Sequence, residues 1–319
     1  MKISVIEPIT PAWNHMVRIL FKPFDFKKWL ALGFCAFLAT CGEQGGGSGN
    51  TWSNQASSTQ FEEAKTWVEA NLTLLITWVV IAFTVMLLLW LFITWISSRG
   101  KFMLLDGVIK NRGAIKEPWS EYKTEGNSLF LFSIMVGLLS LLCFIIIVGS
   151  SVFMALPDIQ SKSFGSAGMT AIVVGGSMFF VYILASIAVV FFIRVFLVPT
   201  MYLKRVKAIE GFKLAWSGLC RGHIGSAVLL LLMMMALGIG AGVVAFIAIC
   251  STCCIGALPY ISSVLLLPIT VFFTCYILMY IQQFGDDWTF FSPMCPSCSY
   301  DLQGLNKGHK CPECGRSLD

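Results

Sequence analysis

Four cysteines near the end of the chain, Cys295, Cys298, Cys311 and Cys314, form two Cys-x-x-Cys pairs separated by twelve residues. Thiolates at this spacing can close a tetrahedron around Zn²⁺, and four sulfur ligands leave no open position for catalysis. Pro296 and Pro312 stiffen the two knuckles, and Gly315 can take the positive φ that the turn after the second pair requires. Ser299 stands at the corresponding place after the first pair. Rubredoxin-type iron is the alternative metal, His309 an alternative ligand. A dithiol redox role would need a βαβ context that residues 295–319 cannot supply. A unit this small has no core of its own, so metal binding would provide its folding energy.

Other catalytic patterns are missing: the sequence holds no His-Glu-x-x-His, Walker A or Gly-x-Ser-x-Gly motif. The expected catalytic set is therefore empty, and the expected site is one structural zinc on Cys295, Cys298, Cys311 and Cys314. The tail mixes Lys307, Lys310 and Arg316 with Asp301, Glu313 and Asp319, which gives no basic stripe for nucleic acid.

The elements that must carry this tail are of a different kind. Of 319 residues 57% are hydrophobic and 12% charged, against about 25% charged in soluble domains, and the mean hydropathy is +0.79. This is the composition of a polytopic membrane protein. Runs long enough to span the hydrocarbon are expected at residues 71–96, 128–156, 171–193, 224–250 and 261–282. A shorter run, 29–41, becomes a sixth span if Lys27 and Lys28 snorkel; a re-entrant segment is the alternative. The N-terminus, interrupted by Pro8 and Pro11, does not read as a secretory signal.

Positive charge fixes the expected orientation. Lys2, Arg18, Lys22, Lys27 and Lys28 precede the first span; Arg99, Lys101, Lys110, Arg112, Lys116 and Lys123 follow the second. Lys204, Arg205, Lys207, Lys213 and Arg221 follow the fourth, and Lys307, Lys310 and Arg316 follow the last. Only Lys65 and Lys162 fall on the opposite side, and Arg194 sits at a helix end. Both termini are expected in the cytoplasm of a cell (inner) membrane protein. The domain plan is then a cytoplasmic interfacial segment 1–28, a transmembrane domain 29–282, a linker 283–294 and a cytoplasmic ribbon 295–319.

Two inner segments look alike. One runs from Arg99 to Lys116-Glu-Pro-Trp119-Ser120 and Gly126; the other from Arg194 to Lys213-Leu-Ala-Trp216-Ser217 and Gly222. With Trp13, Arg18 and Trp29 as a looser third copy, they read as repeated units of an interfacial helix followed by a transmembrane hairpin. Arg194, Pro199, Gly211, Ala215-Trp216-Ser217 and Arg221-Gly222, together with the stretch from Phe21 to Leu30, resemble the membrane domain of glycerophosphoryl diester phosphodiesterases and related uncharacterised bacterial membrane proteins. That resemblance implies an all-α membrane bundle with interfacial helices; the phosphodiesterase barrel has no counterpart here, so its activity is not implied. The tail resembles the short CPxC…CPECG zinc ribbons appended to bacterial membrane proteins, matching at Tyr300-Asp301-Leu302 and Gly304-Leu305.

The eight other cysteines read as small apolar residues, with an outer disulfide from Cys41 to Cys250, Cys253 or Cys254 as an open alternative. No Asp, Glu, Lys or His interrupts the centre of an expected span, which counts against an ion-coupled transporter. Gly238 and Gly242 form a GxxxG for close helix packing, within the bundle or in a homo-oligomer. The leading expectation is a non-enzymatic membrane protein whose partners are the lipid bilayer and a cytoplasmic protein bound by the ribbon. A transporter or channel component is the alternative, and a lipid-handling enzyme a weaker one.

Overall fold

A computed structural model describes residues 3–41, 71–161, 165–252 and 258–291, together with 310, 312, 314 and 315 of the tail. Every regular element among these residues is helical. In chain order they are α1 (Ile9–Phe21), α2 (Phe26–Thr40), α3 (Leu72–Ile109), α4 (Lys116–Glu121), α5 (Lys123–Ser161), α6 (Ser166–Phe192), α7 (Val198–Lys204), α8 (Ala208–Ala215), α9 (Ile224–Ser251), α10 (Pro259–Leu265) and α11 (Leu267–Gln282). Single π-helical turns follow α6 (Ile193–Leu197) and α8 (Trp216–Cys220).

The long helices do not stop where the apolar runs stop. α3 has 38 residues, about 57 Å at 1.5 Å per residue, against roughly 30 Å of hydrocarbon. Its first part exposes large apolar side chains, with Phe83 at 68%, while Phe102 near its other end is at 0%. α5 divides the same way between Phe153 at 74% and Leu129 at 1%. So does the continuous run from α6 through α7, between Phe180 at 61% and Phe196 at 1%. Each helix therefore has an arm, apolar and uncovered by protein, and a buried inner part. The inner parts join α1, α2, α8 and α11 in one hydrophobic core, the base.

The arms of α5 and α6 run antiparallel. Ser140 Oγ and Tyr182 OH are 2.8 Å apart between them, and Asp158 accepts hydrogen bonds from the Gly165 and Gly168 amides, both at 2.7 Å. A carboxylate there satisfies orphan N–H groups at the start of α6 and complements its dipole. α3 ends on Asn111 and α7 on Arg205, both left-handed at φ 51° and 54°. Each long helix is then followed by a short one that carries or leads into the Lys-x-x-Trp-Ser stretch, and by another long helix, the order expected from the repeat.

Among the described residues, four helices are long and apolar enough to cross a membrane: Ile76–Ile109, Lys123–Asp158, Ser166–Lys204 and Ile224–Ser251. The two remaining expected spans differ from the sequence reading. α2 lies against the inner part of α3, not its arm: Ser97 Oγ donates to the Ala39 carbonyl at 2.9 Å, Gly107 faces Leu32, and Gly113 faces Lys28. The run 261–282 is divided at Leu266, which leaves helical geometry at φ −91°, ψ 9°; Pro268 has no N–H to continue the ladder. The resulting α10 crosses α2, with Trp29 Nε1 donating to the Val264 carbonyl at 3.1 Å. α11 packs on α1, and Tyr276 donates to the Val5 carbonyl at 2.8 Å. The segment expected to lie on the lipid surface, α1, thus buries Ala12, His15, Met16, Ile19 and Leu20 against protein.

At Gly100 the backbones of α2 and α3 nearly touch: a Cβ would stand 2.6 Å from the Ala39 nitrogen and 2.7 Å from the Leu38 carbonyl carbon. Neither atom can swing aside as a side-chain tip could. Gly100→Ala is expected to cost about 1–3 kcal/mol, whereas Gly176→Ala, where a Cβ meets nothing within 4 Å, should be neutral or stabilising by up to about 1 kcal/mol. Thermal unfolding of the two detergent-purified variants checks this; equal behaviour would contradict the close approach.

Candidate functional site

The base is organised around one carboxylate. Asp106 lies one turn before the end of α3 among Leu104, Leu105 and Val108 and is fully buried. A carboxylate removed from water is costly unless its oxygens are paired and hydrogen-bonded. Here Oδ1 faces Lys110 Nζ at 2.8 Å and accepts from Tyr122 OH and Tyr202 OH, each at 3.2 Å. Oδ2 accepts from Arg112 Nε at 2.9 Å and lies 2.8 Å from its Nη2. Lys110 reaches Asp106 because residues four apart share a helix face. Arg112 reaches it because Asn111 turns the chain back, with the Arg112 amide donating to the Gly107 carbonyl at 3.1 Å.

A second layer surrounds this core. The Tyr122 and Tyr202 rings stack at 5.0 Å, and Phe102 stacks on Tyr122 at 5.9 Å. The Arg205 guanidinium lies 3.9 Å from the Tyr122 ring centre and forms ion pairs with Glu121 and, at 3.5 Å, Glu125. Arg112 also pairs with Glu117 at 2.6 Å. The cluster thus ties α3, α4, α5 and α7 together. Its bond to Asp106 holds the Arg112 guanidinium above its usual pKa, and burial raises the Tyr122 phenol. A carboxylate saturated with donors is a poor proton acceptor, so this geometry serves assembly, not acid–base chemistry.

A second cation organises the first repeat. Arg99, 7% exposed, donates to Asn127 Oδ1 from Nη2 at 2.9 Å. Its guanidinium lies 4.5 Å from the Trp95 ring centre and 4.9 Å from that of Trp119. Trp119 of Lys-x-x-Trp-Ser is therefore a platform for the arginine that ends the arm. In the second repeat Trp216 packs on Phe192 instead, with ring centres 6.1 Å apart.

Of the expected metal ligands, Cys314 is described and exposed; Cys295, Cys298 and Cys311 lie outside the described residues. Gly315 has φ +71°, the conformation a metal knuckle needs after its second cysteine, so this part of the tail is compatible with the four-thiolate site. Among the described residues no cluster of His, Cys, Asp and Glu could hold a metal ion. Cys35, Cys220 and Cys275 are buried in the base. Cys41 and Cys250 are free thiols, and Cys253 and Cys254 lie outside the described residues. A Cβ at Gly238 or Gly242 would meet nothing within 4 Å, so the GxxxG packs against no described part of its own chain. His15 is buried with its ring 4.3 Å from that of Phe291.

Asp106 lies beyond the span expected to end at residue 96, Tyr122 and Tyr202 belong to no motif, and Arg205 enters the sequence reading only as an orienting charge. The usable signal was local: an acid set in an apolar stripe, with a lysine four residues on.

Described residues that are all helical, four of their helices apolar and of bilayer length, make this an integral membrane protein of the helical class. This chain belongs to a family of unknown function, DUF7544, whose model matches residues 3–288. No curated protein and no solved structure matches it. The family match covers the arms and the base and ends before the cysteine pairs.

Two outcomes test the cluster. Asp106→Ala, which strips the counter-charge from Lys110 and Arg112, should destabilise by about 3–5 kcal/mol; Tyr202→Phe, removing one hydrogen bond, should cost about 1 kcal/mol. Both are measured by unfolding in detergent. His15 titrates near pH 4 in the folded protein, lowered from 6.5 by burial and by Arg18. The unfolded chain therefore binds a proton between these values that the folded chain does not, so stability is lost as pH falls from about 6.5 to 4. The loss attributable to His15, of order 2–3 kcal/mol, is read as the difference between wild-type and His15→Leu stability–pH curves.

Proposed function

We propose that this chain is a non-enzymatic, multi-pass cell-membrane protein whose base faces the cytoplasm and whose tail, folded on one Zn²⁺ by Cys295, Cys298, Cys311 and Cys314, docks a cytoplasmic protein. The observation that carries the reading is where the tail departs. Phe290 and Phe291 are buried in the base, Gln282 Nε2 donates to the Phe291 carbonyl at 3.2 Å, and Cys295 follows four residues later. The ribbon would then be a handle held close to the base, not a distant module on a long tether.

The orientation is supported by charge. The basic segments that open α2, follow the arm of α3 and follow the arm of α6 all meet in the base: Lys28 bonds to Asn111, Arg205 pairs with Glu121, and Lys204 lies 5.5 Å from the Trp288 ring centre. Segments rich in Lys and Arg stay on the cytoplasmic side. Because α1 and Phe290–Phe291 belong to the base, both termini would lie on that side. Zinc would contribute folding energy to the tail and no reactive position. The saturated state of Asp106 supports a role in assembly over one in catalysis.

The purified full-length protein is expected to contain about one zinc per chain, lost in Cys311→Ser, with the base unfolding as in wild type. Partners captured from native membranes should differ between these two proteins; identical partner sets would remove the docking role. External labelling of Cys298 in zinc-depleted intact cells would overturn the orientation.

A further inference from the structure

α5, α6, α8, α9 and both π-helical turns line a cavity of about 450 Å³, within the usual range for a ligand pocket, about 300–1,000 Å³. Among the described residues that line it, none is charged and none carries a hydroxyl. The Trp216 indole N–H and the Cys220 thiol are its polar side-chain groups.

The π-helical turns shape this space. Pro199 cannot donate to the carbonyl of residue 195, and its ring would crowd that carbonyl. The turn widens, and the Val198 amide donates to the Ile193 carbonyl instead. Across the second wide turn the Arg221 amide donates to the Trp216 carbonyl at 2.8 Å. Such turns collect at functional sites. Here both supply wall residues, Ile193 and Phe196 from the first, Trp216 and Cys220 from the second. The Phe212 ring centre lies 5.0 Å from that of Phe192 and 6.1 Å from that of Phe132, which ties the α5, α6 and α8 walls together.

The two repeats differ at the indole. In the first, the Arg99 guanidinium lies 4.9 Å from the Trp119 ring centre. In the second, the corresponding Arg194 lines a different cavity, and Trp216 is 48% exposed. The place that a cation takes in one repeat is left to an apolar occupant in the other. The mouth faces lipid: Leu139 on α5 and Val228 on α9 are 61% and 51% exposed, whereas Phe196 and Cys220 at the floor are at 1% and 4%. From Phe132 to Leu139 and from Ile224 to Leu231 the cavity follows each helix for about 10 Å. It is thus continuous with the apolar surface that the arms present to the bilayer. A polar ligand would give up water there without gaining a partner; a hydrocarbon chain gives up nothing.

We propose that the cavity holds one hydrocarbon chain of a bilayer lipid, seated between α5 and α9 against Phe192 and Trp216. The site recognises the chain and not the headgroup. This rests on the arms standing in the bilayer and not on the ribbon or its partner.

The test uses the full-length protein in phosphatidylcholine vesicles doped with phosphatidylcholine or phosphatidylglycerol that carries a diazirine midway along one acyl chain. After irradiation, peptide mass spectrometry maps the adducts. Because close-packed walls offer more contacts than fluid chains do, residues 188–196 and 224–231 should carry about fivefold more adduct than the lipid-exposed segment around Phe83. The two headgroups should label alike. Ala227→Trp fills the space from α9 and Ala188→Trp from α6; each should bring the cavity down to the Phe83 level, and labelling at Phe83 reports that α3 still stands in the bilayer. Uniform labelling of wild type would overturn the proposal, as would labelling set by the headgroup or adducts unchanged in both tryptophan variants. A Val228→Cys protein that oxidises to a dimer in membranes more than wild type does would also overturn it, since a second copy would then cover the mouth.

Discussion

A carboxylate that is out of water must be surrounded by donors, and the base is built around that requirement. Asp106 receives Lys110 and Arg112 from its own segment and hydroxyls from Tyr122 and Tyr202 of two others. Those partners bring the start of α5 and the end of the α6–α7 run against α3. Once the tyrosines are placed, Arg205 is held over Tyr122 and can pair with Glu121 and Glu125. The left-handed backbone at Arg205 is unfavourable for a non-glycine residue, and these side-chain bonds hold it. Helix ends, loop directions and the relation of the two repeats thus all depend on satisfying one buried charge.

The same helices serve two solvents. Their arms present Phe83, Phe153 and Phe180 outward, which water would not tolerate over so large an area and lipid does. Their inner parts turn the same residue types inward. α3 runs as one helix through both regions, from the arm at Phe83 to the base at Phe102. Arg99, between Trp95 and Trp119, sits where the arm of α3 meets the base. Cations and indoles collect there because each has an apolar body and a polar end.

Much of this was legible residue by residue. The apolar arms of α3, α5, α6 and α9 follow from runs of hydrophobic residues that no other environment accepts. The Lys-x-x-Trp-Ser repeat is visible because its spacing is local. Asp106 was legible only in its local partner Lys110; its tyrosine partners are 16 and 96 residues away, beyond the reach of any local pattern. The pairing of α2 with the inner part of α3 was equally hidden. It depends on Gly100, Gly107 and Gly113 meeting Ala39, Leu32 and Lys28, a match of surfaces that neither sequence stretch contains alone.

By itself the sequence determined what depends on composition and short spacing: a chain that belongs in a bilayer, the clustering of its basic segments, and two cysteine pairs with the spacing of a metal site. These follow from transfer energies and ligand geometry, which act on each segment independently. Tertiary structure alone decided which helices continue into a buried base and which oxygen of Asp106 the tyrosines reach. Those outcomes depend on close packing and on the cost of an unpaired buried charge, which are properties of several segments together.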